Sequence, residues 1–201
     1  MARQNRGQAK VLTKDEFKRL IKIVSARKYA KRDYLILLFS FGLGLRSIEI
    51  ANLKVKDVLD DNLNVHEVVE LQRTKGNTPR AMYLTDERIR AAIKDYIDWR
   101  IDRALKKREV FSRNQPFFVS QKGGGFSNIT LTMLFDKIYK EAGIKASSHS
   151  GRRTFATNLV EEGIDVKSLQ LLMGHSNVQQ TLKYVDGNPE RLKKLVMNAL
   201  Y

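Results

Sequence analysis

Apolar residues recur every three or four positions through the first part of the chain, which is the spacing of amphipathic helices. Thr13 and Glu16 form a capping-box pattern, and the apolar positions that follow predict a first helix to about Ala26. Residues 32–42 are apolar on nearly every side, so we expect them to form a buried helix. A further short helix is predicted over residues 45–53.

Strand-like spacing replaces the helical spacing after about residue 57. Strands are predicted around residues 63–69 and 81–84, and the turn-forming sequence TKGNTP between them (residues 74–79) indicates a hairpin. Residues 117–120 are expected to form another short strand. The pattern therefore predicts an α+β domain that is mainly α-helical and contains a small antiparallel sheet.

Helical spacing returns in the second half of the chain. The predicted helices cover residues 85–107, 127–142, 149–163 and 166–173. Asp165 is expected to cap the last of these helices, and Gly174 is expected to end it. Ser176 or Asn177 should cap the following segment, which carries Tyr184.

Size and composition favour one soluble domain. A hydrophobic content of 42% over 201 residues is enough for a substantial core. Residues 1–12 are polar and basic without periodicity, so we expect a flexible arm or linker there and a single domain over residues 13–201. The most apolar run, residues 34–45, is too short to cross a bilayer, and no membrane partner is expected. The lack of cysteine excludes disulfides and thiolate metal sites and is compatible with a cytoplasmic location.

The charge balance narrows the choice of partner. The chain has 37 Lys and Arg against 22 Asp and Glu, a net charge of +15 with a pI near 10.0. Residues 1–32 alone contain eleven basic and two acidic residues, a difference of +9. Lysine-rich helices can serve solubility alone, but this excess together with the adjacent Arg152 and Arg153 favours a polyanion, and we expect a nucleic acid.

Candidate chemistry is concentrated in the segment from His149 to Tyr184. His149 and Arg152 are three residues apart, so within a helix they would share one face. A guanidinium binds two phosphate oxygens at once, and an imidazole can move a proton near neutral pH. His175 follows the predicted helix end, and Tyr184 lies nine residues later. A tyrosine hydroxyl with a pKa of about 10 becomes a nucleophile only where cations stabilise its anion.

These residues resemble a known signature. H-x-x-R, then L-M-G-H, then a tyrosine nine residues on is similar to the carboxy-terminal motif of the tyrosine recombinases, the phage-integrase family. The sequence GLGLRSIEI resembles the family's amino-terminal arginine motif, and RTKG resembles its lysine-bearing hairpin. The resemblance implies the catalytic fold of that family, with a small three-stranded antiparallel sheet.

The resemblance also implies a reaction. Tyr184 would attack a DNA phosphodiester and form a 3′-phosphotyrosyl intermediate, while Arg46 and Arg152 stabilise the charge on the phosphate. Lys75, in the hairpin, would be the general acid that protonates the leaving 5′ oxygen. The bond energy is kept in the protein–DNA link, so neither ATP nor a metal ion nor another cofactor is expected.

Supporting roles follow for three further residues. His149 is suited to act as general base for Tyr184, and His175 to donate a hydrogen bond to a phosphate oxygen. Glu49 would support Arg46, three residues before it. Each of these residues taken alone has an ordinary structural explanation, and the recombinase interpretation depends on their occurring together in order.

The implied partners are double-stranded DNA and further copies of the chain, assembled as a tetramer on DNA in the nucleoid. A helix predicted from Pro189 has an apolar stripe, and it is the candidate assembly element. DNA-bending or directionality proteins are possible accessories. Two alternatives stay open: a type IB topoisomerase-like nicking and religating enzyme, and a non-catalytic DNA-binding regulator on the same fold.

The chain departs from the family's usual pattern in three places, and it lacks one usual part. Ser150 and Gly151 precede Arg152, Arg153 follows it, and Asp186 stands where a histidine is frequent. These departures affect fine positioning and remove no catalytic group. The family's amino-terminal DNA-clamping domain has no counterpart, so we expect either a catalytic fragment or a single-domain member similar to the fimbrial-switch recombinases.

Overall fold

The secondary structure is mostly α-helical. The computed structural model describes residues 8–71, 79–185 and residue 197. In chain order its elements are α1 (Lys14–Ser25), α2 (Ala30–Gly42), α3 (Ser47–Asn52), α4 (Val55–Val58), β1 (Val68–Leu71), β2 (Arg80–Tyr83), α5 (Glu87–Lys107), α6 (Asn128–Glu141), α7 (Ser150–Glu161), α8 (Val166–Met173) and α9 (Val178–Val185). The predicted α+β class is confirmed. The helix predicted from Pro189 and the hairpin tip with Lys75 lie outside the described residues.

The sheet is smaller than predicted. Strands β1 and β2 pair antiparallel, with Val68 opposite Tyr83, and within the described ranges the sheet has two strands rather than three. The strand expected over residues 63–69 forms only from Val68 onward, as β1, and its first part is reduced to one bridge between Leu59 and Val65. The Asp60 carboxylate accepts hydrogen bonds from the next backbone N–H groups, and Leu63 has a φ of 63°. This Asx-type turn reverses the chain where an extended strand was expected.

The strand expected at residues 117–120 also forms only isolated bridges, at Pro116 and Val119. Pro116 has no N–H to donate to a ladder, and residues 121–124 turn the chain back. Phe117 and Phe118 are both almost fully buried, which explains the apolar run that suggested a strand.

Helix α2 lies at the centre of the fold and contacts α1, α3, α5 and α7. Its Phe39 packs with Tyr96 of α5, through Phe117 and Phe118, in one aromatic cluster with ring centroids 4.9–5.9 Å apart. Buried aromatic side chains contribute large apolar areas, so this cluster is a main source of stability. A smaller cluster joins α7 to α8, and α7 in turn contacts α2.

Helix ends follow the local chemistry that the sequence predicted. Thr13 and Glu16 form a complete capping box, Asp165 caps α8 through the N–H of Ser168, and Gly174 ends α8 with a φ of 58°.

The five described residues of the expected arm, 8–12, include one that packs in the core. Leu12 is 5% exposed, and its N–H donates to Thr154 Oγ1 at 2.9 Å. The packed part of the chain therefore begins at or before Leu12 rather than at Thr13. Among the described residues, no helix combines the length and the apolar character needed to cross a membrane.

Candidate active site

A buried carboxylate, Glu49, lies at the centre of the candidate site. Helix α3 begins after Arg46, and Glu49 accepts a hydrogen bond from the Arg46 N–H at 2.7 Å and another from Arg46 Nη1 at 2.8 Å. The same side chain thus caps the helix and orients the guanidinium. The side chain of Arg46 remains 17% exposed, so it is open to a ligand from solvent.

Arg80 binds the same carboxylate from strand β2. Its Nη2 donates to Glu49 Oε2 at 2.9 Å, and its Nε lies 3.4 Å from Oε1. The guanidinium also donates to the carbonyl oxygens of Gly44 and Leu172. No role for Arg80 was predicted from the sequence, although a signal existed: strand alternation places it on the face of Met82 and Leu84, both buried.

Arg152, in the first turn of α7, is the third arginine of the site. It donates to the Gly44 carbonyl at 2.7 Å and to the Met173 carbonyl, and its Nη1 lies 3.9 Å from Glu49 Oε2. These contacts pull the start of α7, the turn after α2 and the end of α8 together. The predicted proximity of Arg46 and Arg152 is thus present in the structure.

Close packing of α7 on α2 depends on Gly151. A Cβ at this position would lie 2.2 Å from Ser40 Oγ, closer than atoms of this kind approach. Glycine at residue 151, a departure from the usual family pattern, therefore leaves the space that the side chain of Ser40 occupies. The close packing of α7 on α2 lets Arg152 reach the carbonyl groups of Gly44 and Met173.

His175 is held at both ring nitrogens. Nε2 lies 3.2 Å from Arg152 Nη2, and Nδ1 lies 2.9 Å from the hydroxyl of Thr181, which is fully buried. Because a guanidinium only donates, Nε2 must accept, and the ring proton sits on Nδ1 and is donated to Thr181. Burial, with the charges of Arg152, Arg46 and Arg80, lowers the pKa of His175 to about 4, so the ring is neutral at pH 7.

Tyr184 is carried to the same place by α9. Its ring lies parallel to the His175 ring, with centroids 6.1 Å apart and an interplanar angle of 7°. The side chain is half-buried, so one part packs on the domain while another part stays accessible. The tyrosine and the arginine network therefore share one region.

The electrostatics of the site are strongly positive. Burial raises the pKa of the Glu49 carboxyl, but hydrogen bonding and charge from Arg80 and the Arg46 N–H outweigh this effect and bring the pKa to about 2. Burial and the charges of Arg46 and Arg80 lower the pKa of Arg152 to about 9, which leaves it protonated at pH 7. Three guanidinium groups against one carboxylate, with a neutral histidine, leave an excess of +2 in this cluster.

Two predicted residues are not part of this contact network. His149 is the N-cap residue of α7, but its side chain is exposed and makes no capping hydrogen bond. Lys75 lies outside the described residues. No group of three or more His, Asp or Glu side chains in the described part of the chain is arranged to hold a metal ion.

Comparison with known proteins identifies the family. Residues 10–191 match the model of the phage integrase family, and the chain belongs to this family. The resemblance inferred from the sequence motifs is confirmed.

Two of the relatives are named tyrosine recombinases. Tyrosine recombinase XerA of Thermococcus kodakarensis is 34% identical over 199 residues, which cover 94% of this chain and 62% of the relative. Tyrosine recombinase XerC of Caldanaerobacter subterraneus subsp. tengcongensis is 32% identical over 92% of this chain and 49% of its own length. The chain thus spans about half to three fifths of the length of these relatives.

Solved structures show the same architecture. A crystal structure of XerA recombinase superimposes with a TM-score of 0.73 at 27% identity, covering 96% of this chain and 65% of that protein. The XerH site-specific recombinase bound to its difH substrate, in a pre-cleavage complex, matches with a TM-score of 0.67 at 24% identity, covering 92% of this chain and 52% of XerH. At this identity, the XerH comparison establishes the fold.

Proposed function

We propose that the chain is the catalytic domain of a site-specific DNA recombinase that cleaves and rejoins DNA through a 3′-phosphotyrosyl intermediate. The observation that supports this most is the convergence of two arginines, Arg46 and Arg152, with the half-buried Tyr184 beside one buried histidine. The relatives named tyrosine recombinases, and the XerH complex with its DNA substrate, agree with this assignment. Residues 13–201 form the proposed domain, and residues 1–12 the proposed arm, whose last residue, Leu12, packs against the domain.

In the proposed cleavage step, Tyr184 Oη attacks the phosphorus of one DNA strand. A P–Oη bond forms and the P–O5′ bond breaks, so the strand ends in a 3′-phosphotyrosyl link and a 5′ hydroxyl. Lys75 supplies the proton to the leaving 5′ oxygen. The hydroxyl of a second strand then attacks the link, releases the tyrosine and restores a phosphodiester, so neither ATP nor a metal ion enters the balance.

Positive charge at Arg46 and Arg152 is the main contribution of the described residues to this reaction. The phosphodiester carries one negative charge and the pentacoordinate transition state carries two, so fixed cations bind the transition state more strongly than the ground state. Arg46 is the more exposed of the two and would meet the DNA first.

The two histidines receive different roles. His149 is exposed at the start of α7, and we propose it as the base that takes the Tyr184 proton. His175, with its proton on Nδ1 and Nε2 turned to Arg152, orients that arginine in the free protein. The predicted donation to a phosphate oxygen requires the other neutral tautomer, in which Thr181 Oγ1 donates to Nδ1 and the ring proton lies on Nε2.

The proposed partners are double-stranded DNA and other copies of the chain. The net charge of +15 favours binding to a polyanion and a strong dependence on salt concentration. The proposal also includes assembly of the chain as a tetramer on DNA in the nucleoid. DNA-bending or directionality proteins are the proposed accessories.

Covalent trapping tests the function. The chain and its Tyr184→Phe variant are incubated with supercoiled DNA that carries the sequences flanking its own gene, and SDS-resistant adducts are separated on a gel. We expect an adduct with the parent chain and none with Tyr184→Phe, whereas Tyr83→Phe, which alters an exposed tyrosine on β2, should form it normally. An adduct with Tyr184→Phe contradicts the assignment of the nucleophile. Plasmid relaxation without strand exchange contradicts the recombinase and favours a topoisomerase.

A further inference from the structure

Arg80 is a buried charge within the candidate site to which the proposed reaction assigns no use. Its side chain is 3% exposed, against 17% for Arg46, so a phosphate from solvent reaches Arg46 and not Arg80. Within the described residues, all its hydrogen bonds go to Glu49 and to the carbonyl groups of Gly44 and Leu172. A buried arginine that contacts only Glu49 and backbone carbonyl groups has a different role from the arginines that face the ligand.

We propose that Arg80 is a positioning residue, which holds the charge of Glu49 and thereby leaves the charges of Arg46 and Arg152 to the scissile phosphate. This inference rests on the proposed strand-transfer function. The geometry supports it, because Arg80 offers Glu49 two donors of its planar fork, at 2.9 and 3.4 Å. Arg152 Nη1, at 3.9 Å from Glu49 Oε2, is too far for a hydrogen bond and donates to the Gly44 carbonyl instead.

Charge balance gives the reason for a third arginine. Glu49 is needed to orient Arg46, yet its negative charge opposes the charge that develops on the phosphorane. With Arg80 present, three cations and one anion leave +2, which balances the charge of a dianionic transition state. Without Arg80 the remainder is +1, and Glu49 would draw Arg152 towards itself.

The backbone contacts of Arg80 act in the same direction. The carbonyl groups of Leu172 and Met173 are consecutive at the end of α8, where the helix dipole is negative, and they accept from Arg80 and Arg152 respectively. The Gly44 carbonyl accepts from both arginines. Arg80 therefore binds one of the carbonyl groups that hold Arg152, that of Gly44, and also the carbonyl group next to that of Met173.

The test compares Arg80→Gln with Arg80→Gln/Glu49→Gln. In the single variant the carboxylate has lost its buried partner, and we expect the single-turnover rate of adduct formation to fall by about 100-fold or more, with little change in the Kd for DNA. In the double variant the unneutralised charge is gone, while a glutamine oxygen can still accept from the Arg46 N–H. We expect the double variant to form the adduct at least about tenfold faster than Arg80→Gln.

Arg100→Gln is the matched control. Arg100 is also buried, and it donates to the carbonyl groups of Pro116 and Phe117, away from the candidate site. The Arg100→Gln variant should be less stable in thermal unfolding. At a temperature where it is folded, it should not show the loss in the rate of adduct formation. Equal rate losses for Arg80→Gln and Arg100→Gln, or a double variant no faster than Arg80→Gln, would overturn the proposal.

A titration of Glu49 separates this proposal from the proposed function. The carboxyl pKa, about 2 in the parent chain, is expected to rise towards its ordinary value in Arg80→Gln, and NMR of the side-chain carboxyl measures it without any DNA. An unchanged pKa would overturn the role of Arg80. If the parent chain formed no adduct, the proposed function would fail, and the titration would still decide whether Arg80 holds the charge of Glu49.

Discussion

Arg152 Nη2 lies 3.2 Å from His175 Nε2, so this guanidinium is hydrogen-bonded to a neutral ring nitrogen, while its nearest carboxylate, that of Glu49, lies 3.9 Å away. A hydrogen bond to neutral imidazole orients the guanidinium and leaves its charge uncompensated. A carboxylate in the same place would orient it equally well but would cancel the charge that a phosphate requires. The neutral state of His175 is therefore part of the proposed chemistry.

Stability should depend on pH through His175. Its pKa is about 4 in the folded chain and about 6.5 in the unfolded chain, so between these values the unfolded state binds more protons. The contribution of His175 to stability is complete above pH 6.5 and is lost as the pH falls towards 4. Urea unfolding measures the free energies of unfolding of the parent chain and of His175→Gln from pH 7.5 to 4.5. As the pH falls, the value for the parent chain should decrease relative to the value for His175→Gln. A difference that is constant over this range would contradict the lowered pKa.

Thr181→Val removes the acceptor of the His175 Nδ1–H with little change in volume. The buried ring would lose its fixed tautomer, and a proton on Nε2 would then face Arg152. We expect a loss of about 1–3 kcal/mol in unfolding free energy, together with a lower rate of adduct formation. The matched control is Thr154→Val, which removes a buried hydroxyl from α7 that bonds Leu12 and Ser150. It should lose stability and keep the rate; equal rates for the two variants would argue against a role for Thr181.

Gly44→Ala tests the carbonyl that Arg152 and Arg80 share. Gly44 has a φ of 63°, and a Cβ there would lie 2.3 Å from Phe155 Cδ1, so the turn must move and take the carbonyl with it. Gly143→Ala is the control, because its φ is 66° and a Cβ would meet open space. The control should lose about 1–2 kcal/mol from backbone strain alone. Gly44→Ala should lose more unfolding free energy than this, as measured with urea, and should also lose adduct formation. Equal losses of unfolding free energy and of adduct formation in the two variants would contradict a role for the contact with Phe155.

Features that depend on neighbouring residues could be predicted from the sequence, and features that depend on distant ones could not. The capping by Asp165 and the helix end at Gly174 involve groups within a few residues, so the residue types alone indicated them. The pairing of Arg80 with Glu49 joins residues 31 apart and depends on how β2 packs against α3. The motif resemblance identified Glu49 as a support for Arg46, but it carried no information about the second arginine on the same carboxylate.

The first part of the strand predicted over residues 63–69 shows the opposite error, a local signal that was outweighed. Alternating apolar residues around Val65 indicated a strand, but the turn at Asp60 occupies the backbone donors of residues 62 and 64. A few apolar side chains cannot extend a segment whose N–H groups are already bonded in a turn.

The contact between α2 and α7 gives a last prediction, on the departure at Gly151. Alanine is the better helix former by about 1 kcal/mol, yet here its Cβ would lie 2.2 Å from Ser40 Oγ and 2.9 Å from Ser40 Cβ. We expect Gly151→Ala to push α7 away from α2, to lower the unfolding free energy and to slow adduct formation by displacing Arg152.

Replacing the facing serine should relieve much of this effect. Among the described residues Ser40 Oγ has no hydrogen-bond partner, so Ser40→Ala alone should cost little. Ser40→Ala/Gly151→Ala should be more stable and faster than Gly151→Ala, with a coupling free energy of about 0.5–3 kcal/mol in a double-mutant cycle. Ser47 has an equally buried hydroxyl without a partner in the described ranges, so Ser47→Ala/Gly151→Ala is the control. Rescue by Ser47→Ala to the same extent, or no rescue by Ser40→Ala, would show that the α2–α7 contact does not determine the position of Arg152.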